Sequence, residues 1–289
     1  MKISIHRATR VAGLIGAAAL LLAAAGCTTT VRQVSDARPF TQNSAPSTMS
    51  ELRIADTALE SNNLELATSL FERAVKADPN SVPGLTGLGS TLYAVGDYTR
   101  AGVYFERASK LDPQAIGPLV GIARVAIHQR RFDDAIVTYR RVLAMKPGDS
   151  LASAGLGAAL DLSGDHAQAQ AVLRDALKAN PGDPVLCVNL GLSLTLGGDP
   201  RQGANVLLDV TRFPAAPPQA RQDLALAYGL LGNDDAAAAI LSNDLPKASV
   251  QDNLRYYQLQ RTRADQPAPG KGVTVSQASA PPVQAASLR

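Results

Sequence analysis

Between about residue 50 and residue 245, small and apolar side chains recur on two scales: three to four residues apart within a segment, and 34 residues apart between segments. The stretches LATSLFERAVKADP (66–79), RAGVYFERASKLDP (100–113), DAIVTYRRVLAMKP (134–147) and QAQAVLRDALKANP (168–181) each start 34 residues after the one before. Small residues stand in one register at Ala67, Ala101, Ala135 and Ala169, large ones at Phe71, Phe105, Tyr139 and Leu173, and prolines at Pro79, Pro113, Pro147 and Pro181. The intervening halves keep the same phase: Ile54, Leu88, Ile122, Leu156, Leu190 and Leu224 are each followed by Ala or Gly. A small residue with a large one four positions on shares a helix face with it, so two helices can approach closely at the small residue while the large one fills the adjoining gap; proline then ends the helix. The pattern predicts six helical hairpins, with turns marked by Gly96, Gly164, Gly198 and Gly232, and by Asn62 and Arg130 in the other two.

A period of 34 residues with these residue classes resembles the tetratricopeptide repeat, which implies an all-α fold: a right-handed superhelical solenoid of about six repeats. Two departures stand out. Gly203 takes the place of the crossing alanine in the fifth unit, and TRFPAAPPQ (211–219) replaces the usual proline step, so looser packing or a kink is expected near 212–218. A solenoid needs a cover for its last open face, and VQDNLRYYQLQR (250–261), with Val250, Leu254, Tyr257 and Leu259 as its apolar residues, is expected to be that capping helix. The repeat domain with its cap is expected over 48–264.

The chain ends differ in composition. Lys2, Arg7 and Arg10 precede an uncharged run, Val11–Gly26, whose sixteen residues would rise about 24 Å as a helix, short of a ~30 Å hydrocarbon core. That is the build of a secretory signal. Its end, Ala24-Ala25-Gly26-Cys27, resembles the lipobox of bacterial lipoproteins, which implies a signal peptide over 1–26, cleavage before Cys27 and covalent lipid on that cysteine. An ordinary secretory signal with an incidental cysteine is the alternative. Thr28 stands where an inner-membrane retention signal would carry Asp, so anchoring to the outer membrane, facing the periplasm, is expected. Residues 27–47 are polar and suit a flexible tether, and 265–289, rich in Pro, Ala, Ser and Gln, a disordered tail.

Cleavage changes the charge balance. The whole chain has 28 Lys and Arg against 25 Asp and Glu; without the three signal cations the count is 25 of each. The apparent basicity therefore points to neither nucleic acid nor an anionic membrane surface as partner. Cys187 would be the only thiol besides the lipidated one, so no disulfide can brace the exported domain.

Candidate chemistry is sparse. His128 and His166 have no histidine or cysteine at metal-ligand spacing, and neither a metal nor a bound cofactor is expected beyond the Cys27 lipid. Cys187 takes a core position of its unit, where Leu85 and Leu119 stand in earlier ones, and is expected to be a buried structural thiol. GLTGLGST (84–91) follows no strand, and Gly89 is accounted for as a crossing residue; PGKGV (269–273) lacks the rest of a phosphate-binding loop. The residues point away from an enzyme, with no small-molecule substrate, and towards a protein-binding surface.

The tetratricopeptide resemblance implies that the first helix of each pair lines a concave groove. Carried onto this chain residue by residue, it assigns Tyr93, Arg124, His128, Asp161, Asn189, Leu192, Thr195, Gln222 and Leu226 to that groove, with Gly121, Ala154, Gly155 and Ala158 between them as a small-residue floor. Asn189 matches the position whose amide clamps a ligand backbone in the family. The lysines of chaperone-binding members are missing, and the floor suits an apolar strand or an amphipathic helix better. Finally, AILSNDLPKASVQDNLRYYQLQR (239–261) resembles the C-terminal end of the TadD family of Flp pilus assembly lipoproteins. That resemblance implies a role in the tight-adherence secretion system, through assembly of its outer-membrane secretin. A general envelope scaffold that recruits a peptidoglycan enzyme or a protease is the competing expectation.

Overall fold

The computed structural model describes residues 48–213 and 216–264. Cys27 and the expected signal, tether and tail lie outside the described residues. Among the described residues there are thirteen helices and no strand. They form six hairpins: α1 (Thr48–Glu60) with α2 (Leu64–Ala77), α3 (Val82–Val95) with α4 (Tyr98–Leu111), α5 (Ile116–His128) with α6 (Phe132–Met145), α7 (Ser150–Leu162) with α8 (His166–Ala179), α9 (Pro184–Leu196) with α10 (Pro200–Thr211), and α11 (Pro218–Leu230) with α12 (Asp234–Leu241). The last helix, α13 (Lys247–Ala264), packs on α11 and α12.

The turns inside the hairpins follow one design. Asn62, Gly96, Arg130, Gly164, Gly198 and Gly232, spaced 34 residues apart, all have positive φ, between 58° and 94°. The next residue caps the following helix: Asn63, Asp97, Asp165, Asp199 and Asn233 each accept a hydrogen bond from the backbone N–H three residues on. The third unit departs twice. Arg130 holds φ 58° without the freedom of glycine, and Arg131 makes no capping bond.

The 34-residue pattern is a packing code. Ala67, Ala101, Ala135, Ala169 and Ala237 are fully buried where the two helices of a hairpin cross, as are Ala55, Ala123 and Ala225 on the facing helices. Each large residue of a second helix also reaches into the next unit. A Cβ on Gly87 would lie 2.1 Å from the Phe71 ring, one on Gly121 2.5 Å from Phe105, and one on Gly155 2.3 Å from Tyr139. At the first three junctions contact between units is thus made by aromatic rings seated on glycine. Outside this core, Arg107 and Arg141, 34 residues apart, donate to the carbonyls of Pro79 and Pro113, and Arg140 and Arg174 reach Gln168 and Gln202 across the next junctions.

The fifth unit departs from the code for a visible reason. A Cβ on Gly203 would lie 2.2 Å from Thr195 Oγ1 and 2.6 Å from the Gly191 carbonyl oxygen, so α9 and α10 approach at backbone distance and only glycine fits. Beyond α10 lies an apolar cavity of about 400 Å³, lined by Pro184, Cys187, Val210, Phe213, Ala216 and Pro217. Cys187 is therefore a half-buried wall of this cavity rather than a fully buried core thiol, and burial raises its pKa. In the cap, Val250 and Tyr257 are buried as expected, whereas Leu259 is 54% exposed and faces outward.

Candidate protein-binding groove

The arrangement of helices decides which face is concave. Successive first helices pack on one another, α1 on α3, α3 on α5, α5 on α7, α7 on α9 and α9 on α11. Among the described residues the backbones of the second helices stay farther apart, α6 meeting α8 and α8 meeting α10 through the long side chains of Arg140 and Arg174. The layer with direct neighbour contacts is the inner one, so the first helices line the concave side.

The inner stripe of each first helix, taken at helical spacing i, i+3, i+7, runs through two registers. One holds Asp56, Ser90, Arg124, Ala158, Leu192 and Leu226; the other holds Glu60, Ala94, His128, Leu162, Leu196 and Leu230. The groove therefore has two chemically distinct halves. The first unit presents two acidic side chains, the second a serine and an alanine, and the third an arginine and a histidine, whereas the last three present an alanine and five leucines. Leu162 is 54% exposed and Leu196 46% exposed, while Ala158, Leu192, Leu226 and Leu230 are half-buried. Leu162, Leu196 and Leu230 were not among the residues expected in the groove, although stepping forward by 34 from His128 reaches all three.

In the polar half, Tyr93, Arg124 and His128 come together. The Arg124 guanidinium lies 4.1 Å over the Tyr93 ring, and Tyr93 meets His128 edge to face at 5.2 Å. Tyr98, which the groove registers do not reach because it opens a second helix, stacks on His128 with the rings 4.0 Å apart. This cluster braces Arg124 on the inner face, and the arginine makes no ion pair among the described residues.

At the middle of the groove, Asp161 is not a free carboxylate. Its Oδ1 lies 2.8 Å from His166 Nδ1 and accepts a hydrogen bond from Ser193 Oγ at 2.8 Å, tying the fourth unit to the fifth. Burial raises the Asp161 pKa, and the two hydrogen bonds work against that. His166 and Ser193 were not foreseen as partners of this residue. The trio has the residue types of a hydrolytic triad in the wrong order: the serine donates to the carboxylate rather than to the imidazole, and it is fully buried. No group of three His, Cys, Asp or Glu that could hold a metal occurs among the described residues.

The remaining groove residues divide. Gln222 is exposed, Leu226 half-buried, and Asn189 half-buried with its Nδ2 donating to the Val185 carbonyl at 2.8 Å. Thr195 must be struck from the groove. It is 2% exposed, and its hydroxyl donates to the Gly191 carbonyl at 2.8 Å, beneath the close approach of α10. The small floor is also deeper than expected: Ala154 is buried, and Gly121 and Gly155 lie against the rings of Phe105 and Tyr139. Asp223, absent from the expected set, is 9% exposed on the same stripe as Leu226 and Leu230, and burial pushes its carboxyl up to about 6.

Comparison with known proteins agrees with this architecture. Two tetratricopeptide repeat family models match, over residues 52–116 and 92–160. No curated protein matches the sequence significantly. Among solved structures, PilW, a widely conserved type IV pilus biogenesis factor, superposes with a TM-score of 0.62 at 17% identity, covering 73% of this chain and 98% of PilW. Pseudomonas aeruginosa PilF gives 0.59 at 15% identity, covering 74% of this chain and 97% of PilF. A tetratricopeptide repeat protein from Parabacteroides merdae gives 0.61 at 11% identity, covering 73% of this chain and 84% of the other. At these identities the likeness is one of fold. The described residues thus form an all-α repeat solenoid, in which residues 52–160 match tetratricopeptide repeat models.

Proposed function

We propose that the protein is a lipid-anchored scaffold on the periplasmic face of the outer membrane, and that it assists assembly of a tight-adherence (Flp) pilus apparatus by holding its secretin or a neighbouring assembly component. The observation that carries the protein-binding part is the run of half-exposed aliphatic side chains on the inner face of α7, α9 and α11. A soluble surface gains nothing from a row of leucines at one register, whereas a partner segment laid across them buries each in turn. The lipobox at Cys27 supports the anchor, and the TadD-like run at 239–261 supports the pilus assignment. PilW, a type IV pilus biogenesis factor, shares the fold. In a strain lacking the protein, secretin multimers should be lost from the outer membrane and return on expression of the wild-type chain. Intact multimers together with misplaced cell-wall hydrolases would point to a general envelope scaffold instead.

A further inference from the structure

The inner-face register that lies against the preceding unit reads Gly87, Gly121, Gly155, Asn189 and Asp223. The first three seat Phe71, Phe105 and Tyr139. The fourth and fifth units have the smaller Leu173 and Leu207 at the corresponding positions of their second helices, and the first helix of the unit after each gains a polar side chain, Asn189 and Asp223. Asn189 satisfies its amide on its own helix. Asp223 does not: its Oδ2 is buried and accepts no hydrogen bond from any described group. Retaining an unpaired buried carboxylate opposes folding, and buried polar atoms in native domains are otherwise almost always matched. Helical spacing places Asp223 three residues before Leu226 and seven before Leu230, on one stripe. Arg221, two residues before Asp223, is engaged with Asp244, and Arg261 of the cap helix with Asp234.

We propose that the apolar half of the groove docks a partner segment of defined chemistry: aliphatic side chains that pack on Leu162, Leu192, Leu196 and Leu226, and one lysine or arginine that reaches the unpaired Asp223 carboxylate. This rests on the protein-binding reading above and adds the partner's charge to it. Burial holds the Asp223 carboxyl at about 6 in the free protein, so a cation brought by the partner meets an acid without a competing counter-ion.

The probe is a library of random twelve-residue peptides displayed on phage, selected in parallel on the full-length protein and on its Asp223→Asn and Leu192→Asp variants. Circular dichroism verifies that each variant is folded. Selection on the wild-type protein should enrich aliphatic peptides that carry a single Lys or Arg at a fixed place. Asp223→Asn should still select aliphatic peptides but lose the basic residue, and peptides taken from the wild-type selection should bind this variant at least tenfold more weakly. Leu192→Asp, if folded, should select none of these sequences; if it does not fold, Leu196→Asp, whose side chain is 46% exposed, takes its place. Equal basic enrichment on the wild-type protein and on Asp223→Asn overturns the inference while leaving a peptide-binding groove. Undiminished binding by the leucine variants overturns the groove reading itself.

Discussion

Gly155 and Tyr139 are fitted to one another: a Cβ at residue 155 would lie 2.3 Å from Tyr139 Cζ and 2.5 Å from its hydroxyl oxygen, across the junction between the third and fourth units. Phe71 with Gly87 and Phe105 with Gly121 repeat the arrangement. Gly155→Ala should therefore destabilise the solenoid by about 1–3 kcal/mol through overpacking, although alanine favours a helix. Because the fault is steric and shared by two residues, Tyr139→Leu in the same chain should recover part of the loss. A double-mutant cycle by urea unfolding measures it, and simple additivity of the two changes would disprove the fit.

The third turn is the weak one. Arg130 takes φ 58°, and Arg131 supplies no cap, where the other units have Asn or Gly followed by Asn or Asp. Arg130→Gly should stabilise by about 0.5–1 kcal/mol through relief of left-handed strain, and Arg131→Asp by about 1 kcal/mol through a new N-cap. Both should appear as a higher midpoint in thermal melts. A lower melting temperature for Arg130→Gly would mean that its contact with the Phe132 ring, 5.6 Å away, outweighs the strain.

The 34-residue register made the hairpins, the crossing alanines and the six left-handed turn positions legible in the sequence, because each depends on one residue of one size at one place. Even Arg130 was marked, by register alone. What the register could not supply is how neighbouring units adjust to each other. Thr195 shares its position with the half-buried Tyr93 and Asp161, and only the contact of α10 at Gly203 carries it under the surface. Tyr98 and His166 were not assigned to the groove, because they open second helices and reach it through the turn. Asp223 lay in the register of Gly121, Gly155 and Asn189, and stepping on by 34 from Asn189 reaches it; the register did not reveal that its side chain is buried without a partner.

Asp223 also makes stability depend on pH. Its folded-state pKa is raised from 3.8 to about 6 by burial, so the folded state holds the proton more tightly than the unfolded chain. This group's contribution is most favourable below pH 3.8 and declines as pH rises to about 6. A shift of about 2 units corresponds to about 3 kcal/mol at most. Asp223→Asn should accordingly stabilise the free protein at pH 8 by up to that amount and scarcely at pH 4, as read from denaturant unfolding at both pH values. An equal effect at the two would show that the carboxylate is not desolvated.

Packing and binding can be separated by substitution. Ala101 is fully buried at the crossing of α3 and α4, so Ala101→Leu should cost about 1–3 kcal/mol and weaken partner capture along with stability. Asn189→Ala, on the half-buried inner face, should leave the melting temperature within about a degree while reducing capture.

The anchor has its own test. Cys27→Ser should abolish fatty-acid labelling and leave an uncleaved or soluble form, and label that persists would sink the lipid assignment. Wild-type protein should fractionate with the outer membrane, and recovery in the inner membrane would overturn the sorting expected from Thr28.

The central claim, that the inner face of the last three units holds a protein, is tested most directly by in-cell crosslinking from a photoactivatable amino acid in place of Leu192, with the same amino acid in place of Val137, 66% exposed on the second helix α6, as the outer-face control. The account predicts one discrete adduct from position 192, identifiable by mass spectrometry as an envelope assembly component, and none from 137. No adduct from 192, or the same adducts from both positions, would contradict it.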